Sequence, residues 1–119
     1  MSLAPQPGDE TVAEFFAKTG ELPRDLSDLR RFPRFYFRSC AEATIHPPGG
    51  GPPTRCFLLT RDLSRCGVCL VHTQQLYPAQ RMELVLNGQP PRLVEVVWCR
   101  RWIDGRYFAG CRFVKEEEC

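Results

Sequence analysis

Lysine is almost missing from this chain: of its 16 basic residues only Lys18 and Lys115 are lysines, and the rest are arginines. Planar guanidinium forks suit bidentate contacts to phosphate or carboxylate better than they suit diffuse charge. A formal net charge of +2 excludes a general polyanion binder, so no DNA or RNA partner is expected and any anion site must be local. Histidine is also scarce. His46 and His72 are the only two, and neither sits in a recognisable pattern with a nucleophile or a carboxylate, so no catalytic residues are assigned and the chain does not read as an enzyme. No run approaches the roughly 20 apolar residues a bilayer demands, so no membrane span is expected. A charged leader followed by an apolar run and a cleavage site is also lacking. With an odd number of cysteines, seven, the expectation is a cytoplasmic protein with reduced thiols.

The 119 residues suffice for one domain with a modest core, and the 43% hydrophobic content argues for a folded chain. Residues 1–28 read as a lead-in, a helix and a connector. Thr11 and Glu14 fit a capping box, Val12, Phe15 and Phe16 form an apolar stripe, and Gly20 stops the helix, which is placed near 10–19. From Phe35 onward the pattern is that of strands, expected at 35–46, 54–60, 67–73, 80–87, 92–101 and 106–114, with a solvated acidic tail over 115–119. Met82, Leu84 and Leu86 alternate with Arg81, Glu83 and Asn87, and Tyr107, Ala109, Cys111 and Phe113 share a face opposite Arg112. Asn87-Gly88 and Asp104-Gly105 favour tight antiparallel turns. Six antiparallel strands in so short a chain would expose edges unless the sheet closes, so the expected fold is an all-β, six-stranded antiparallel barrel over 29–114 with a short N-terminal helix.

Two elements carry chemistry. Arg30 and Arg34 lie four apart beside Pro33, in a connector where both guanidinium groups can turn to one ligand with two phosphates; Arg34 and Arg38 make a second match to the same spacing, but Arg38 falls within the first expected strand. The second element is Asp62-Leu63-Ser64-Arg65-Cys66-Gly67. Asp, Ser and Gly suit a structural turn, in which the side chains bond the backbone and Gly takes a conformation closed to other residues. Asp62 can equally accept from the paired N1–H and N2–H donors of a guanine, with Ser64 bonding base or phosphate.

Two arginines, 27 intervening residues and an Asp-x-Ser-x-x-Gly segment, followed by the closing Gly110-Cys111-Arg112-Phe113, resemble the PilZ-domain family over about 29–114. The resemblance implies a bacterial β-barrel receptor for cyclic di-GMP, a sensor rather than an enzyme, which needs no cofactor. It implies that Arg30 and Arg34 hold phosphates and stack on guanine, that Arg31 adds a contact, that Asp62 and Ser64 bond the base, and that Gly67 lets the backbone approach. Leu29 stands where a further arginine would favour a stacked ligand dimer, so one or two ligands per chain, and monomer or dimer, stay open. Trp98 is either a core residue or a stacking platform.

The competing readings are a zinc site at Cys66-Gly67-Val68-Cys69 with His72, Cys99 and Cys111 as partners, and a ligand-independent PilZ-like interaction module. Extended backbone after Gly67 would send Cys66 and Cys69 to opposite faces, which counts against the metal. With no effector fused to it, a sensor of this kind acts through a downstream protein partner that the residues do not identify.

Overall fold

The computed structural model describes residues 19–21 and 33–115. The expected helix near 10–19 and the acidic tail beyond 115 lie outside the described residues. Seven strands follow in order: β1 (Phe35–Tyr36), β2 (Cys40–Ile45), β3 (Thr54–Leu63), β4 (Gly67–His72), β5 (Arg81–Val85), β6 (Arg92–Arg101) and β7 (Tyr107–Phe113). All pairings are antiparallel, in the order β3-β2-β5-β6-β7-β4, and β4 pairs back onto β3. The result is a closed six-stranded barrel, which leaves no long unpaired edge.

β1 is the short seventh strand and lies along the same flank of β3 as β2. The expected continuous strand over 35–46 is therefore interrupted. Phe37 N donates to Arg61 O, whereas Thr60 N donates to Ser39 O, so Arg38 is an extra residue with no partner position on β3. Thr60 holds this bulge from inside: its hydroxyl donates to Phe37 O at 2.5 Å and accepts from Ser39 N at 2.9 Å. Alternation alone cannot show such an insertion, because it preserves the apolar character on both sides of the break.

The core follows the expected periodicity. Leu58, Val68, Leu70, Met82, Leu84, Val94, Val96, Ala109, Cys111 and Phe113 fill the interior, where each is at most 4% exposed. β4 is buried on both faces, because Cys69 and Val71 point outward beneath Phe108 and Trp102, whose rings lie 4.6 Å apart. Asn87-Gly88 and Asp104-Gly105 both take positive φ, and Gln89 N and Arg106 N close the two turns onto Leu86 O and Ile103 O.

His72 ends β4 with its side chain on the inward face, 9% exposed. Burial disfavours the imidazolium and lowers its pKa below the ordinary 6.5. A depressed folded-state pKa contributes stability that is full above the unfolded value and is lost as pH falls below it. The melting temperature should therefore drop as pH is lowered from 7 toward 5, and the drop should be smaller in His72→Gln; identical pH profiles for the two proteins would contradict this assignment.

Candidate functional site

The Asp-x-Ser-x-x-Gly segment is only partly a turn. Asp62 and Leu63 are the last residues of β3, with Tyr36 of β1 opposite Asp62 on one side and Cys69 of β4 on the other. The expected end of that strand at Thr60 is thus corrected: pairing on both flanks carries it three residues further, to Leu63. The turn is Ser64 to Cys66. Ser64 N donates to Gly67 O at 2.8 Å, and the Ser64 hydroxyl accepts from Cys66 N and Gly67 N, each at 3.2 Å. Ser64 therefore does what a turn serine does.

Asp62 shares the outer face of the barrel with Cys69, its partner across β3 and β4, yet is only 1% exposed. Its Oδ1 accepts from Arg34 Nη1 at 2.9 Å, and Arg61 Nε lies 3.7 Å from its Oδ2. A carboxylate this deep requires such partners, since an unpaired buried charge is costly. Beside it, the Cys69 thiol is pushed up to about 12, chiefly by burial and then by the Asp62 charge. Burial also raises Cys111. Both thiols stay protonated and inert at neutral pH. The cysteine grouping considered for zinc is spread apart: Cys69 faces outward, Cys111 faces the core, and no three metal-ligating residues cluster among the described residues. Cys40, Cys56, Cys69, Cys99 and Cys111 are free thiols, whereas Cys66 is disulfide-bonded, which corrects the expectation of uniformly reduced cysteines.

Gly67 opens β4 pressed against β7. A Cβ there would lie 2.3 Å from Cys111 O, so only glycine allows the two strands to pair at this point. Gly110, opposite Trp98 across β6 and β7, has a related role: a Cβ would fall 2.2 Å from the indole Nε1. Trp98 thus lies flat across the strand, on the outer face. It is 36% exposed, so it is not a core tryptophan. The register shift between Val96 and Trp98 supplies the reason, since a bulge re-aims the residues that follow it. Arg100 sits over its ring at 5.0 Å.

Between these elements runs a surface groove of about 210 Å³. Arg34 forms one wall and Trp98 the other, the backbone at Gly67 and Gly110 contributes to the floor, and Arg112 closes one end. Arg112 is oriented by Glu95, whose Oε2 accepts from its Nε at 2.9 Å and its Nη2 at 2.6 Å. That bond holds the Glu95 carboxyl below its ordinary pKa, with Arg81 contributing from 3.6 Å.

Of the residues expected in the site, Arg34 and Gly67 line this groove, Asp62 lies beneath it bound to Arg34, and Ser64 borders the neighbouring cleft with Phe35 and Leu63. Arg30 and Arg31 lie outside the described residues. Arg38, from the competing pair, is turned away to Arg61 O and the Tyr36 ring. Gly110, Arg112 and Arg61 were not singled out as site residues. The closing Gly-x-x-Phe segment was a usable signal for the first two, since it places a glycine and an arginine side by side on β7.

The architecture is a closed antiparallel barrel whose outer groove has arginine and tryptophan in its lining. The family model of the PilZ domain matches residues 28–119, and the chain belongs to that family. PilZ domains are cyclic di-GMP-binding and adaptor domains. No curated protein matches this chain.

Proposed function

We propose that this chain is a receptor for bis-(3′,5′)-cyclic dimeric GMP, acting as an adaptor in bacterial second-messenger signalling. The observation that carries the reading is the groove itself: a guanidinium wall at Arg34, an aromatic wall at Trp98, and glycines where side chains would otherwise block approach. At about 210 Å³ it falls below the roughly 300–1,000 Å³ that encloses a whole drug-sized ligand, so it suits one base of the dinucleotide. The remainder would be covered from outside by Arg30 and Arg31, with Arg34 turning from Asp62 to a phosphate. That exchange is the switch: the anionic ligand takes over the arginine that Asp62 holds in its absence. Released from Arg34, the Asp62 carboxylate accepts from guanine N1–H and N2–H, Ser64 contributes its hydroxyl proton, and Trp98 stacks.

A calorimetric titration tests this. The chain should bind cyclic di-GMP at least about tenfold more tightly than cyclic di-AMP, because adenine leaves Asp62 facing an acceptor in place of donors. Equal affinities would remove Asp62 from base reading. Absence of any binding heat with both nucleotides, in a folded sample at several temperatures, would favour the ligand-independent interaction module.

A further inference from the structure

Strand β3 carries an extra residue next to Asp62. Thr60 stands opposite Leu70 of β4 and Asp62 opposite Cys69, so Arg61 has no partner position of its own on β4. A bulge of this kind re-aims the side chains around it. Here it brings two sequence neighbours to the outer layer together. The Arg61 guanidinium lies over the Phe108 ring at 5.0 Å, in the outer cluster with Cys69 and Val71, and its Nε is 3.7 Å from Asp62 Oδ2.

Arg61 is anchored independently of Arg34. Its carbonyl accepts from Phe37 N at 2.9 Å and from the Arg38 side chain, which fixes the backbone of the bulge. The ring it covers is backed in turn by Trp102, at 4.6 Å. With only 21% of its side chain exposed, Arg61 acts on Asp62 through a partly desolvated path, where salt screens a charge less than at the open surface.

The two arginines address different oxygens of Asp62. Arg34 Nη1 donates to Oδ1 at 2.9 Å, whereas Arg61 Nε stands back from Oδ2, within ion-pair range but too far for a hydrogen bond. Arg61 can therefore balance the carboxylate without occupying the Oδ2 lone pairs that a base donor would use. Among the described residues no other cation pairs with Asp62. The carboxylate is 1% exposed, so losing Arg34 to a ligand would strand a buried charge if nothing else balanced it.

We propose that Arg61 is a positioning residue of the nucleotide site, balancing and orienting the Asp62 carboxylate while Arg34 moves to a phosphate. The inference rests on the cyclic di-GMP reading given above. It adds a residue that acts on the ligand only through Asp62 and sets how readily Arg34 is released.

The test is a double-mutant cycle with Asp62→Asn, read by calorimetric titration of cyclic di-GMP into the full chain. Arg61→Gln should weaken binding about tenfold, a coupling within the range of residues that share one charge network. In the Asp62→Asn background the amide has no charge to balance, so the same change should alter affinity by less than about twofold. Arg61→Lys keeps the charge and should stay within about threefold of the parent. An Arg61 that served only the packing of the barrel would weaken both backgrounds alike. Equal losses in the two backgrounds, unchanged affinity in Arg61→Gln, or a loss beyond about threefold in Arg61→Lys each overturn the proposal, and the lysine variant decides alone if Arg61→Gln does not fold. The receptor reading fails on a different result, the absence of saturable binding by the parent chain, and takes this inference with it.

Discussion

Gly67→Ala should destabilise the barrel by about 3 kcal/mol, at the upper end of what overpacking costs. The added methyl would stand 2.3 Å from Cys111 O, a backbone atom that cannot move without separating β4 from β7. Those strands share six paired positions, from Gly67 with Arg112 to His72 with Tyr107, so parting them at one end loosens the closure of the barrel. Thermal denaturation should show a loss of about 10 °C or more. Gly49→Ala is the matched control: its Cβ meets nothing within 4 Å, and the melting temperature should hardly change. If both variants melt together, the close approach of β4 and β7 at Gly67 is not what requires glycine.

Arg34→Ala should cost both stability and ligand. Asp62 is 1% exposed, so removing its closest partner leaves a buried carboxylate with only the more distant Arg61, 3.7 Å away. Breaking a fully buried pair costs about 3–5 kcal/mol; Arg34 retains 23% exposure and Arg61 remains, so about 2 kcal/mol is expected here. Affinity for cyclic di-GMP should fall roughly 10- to 150-fold, the worth of a charge-assisted phosphate contact. Adding Asp62→Asn separates the two effects. The neutral amide removes the unpaired charge, so the double variant should recover stability without recovering tight binding. Recovery of both would mean that Arg34 acts on the nucleotide only by supporting the fold.

The fold was legible where periodicity and turn chemistry agreed. Met82 with Leu84, and Ala109 with Cys111 and Phe113, announce the inward faces of β5 and β7, and Asn87-Gly88 and Asp104-Gly105 announce the turns. What escaped were irregularities near the groove, among them a register shift in β3 between Thr60 and Asp62. Arg38 as an extra residue splits β1 from β2, and the shift after Val96 turns Trp98 to the surface. Both are set by pairing with strands distant in sequence, which a local pattern cannot show. The site was legible as residue types but not as contacts. Arg34 and Asp62, 28 positions apart, stood out as separate ligand contacts, and their ion pair follows from β1 lying along the end of β3. Gly67 stood out as a glycine near a ligand, yet its closest constraint is the neighbouring strand.

If cyclic di-GMP occupies the groove between Arg34 and Trp98, the most direct witness is the Trp98 indole N–H, which lies on the groove wall over Gly110. The chain has two tryptophans, and Trp102 packs instead on Phe108, so the second indole signal is an internal reference. On titration with cyclic di-GMP, the Trp98 indole resonance should move saturably, in step with the heat of binding, while the Trp102 resonance moves little. Saturable binding that leaves the Trp98 resonance in place would contradict the assignment of this groove as the nucleotide site.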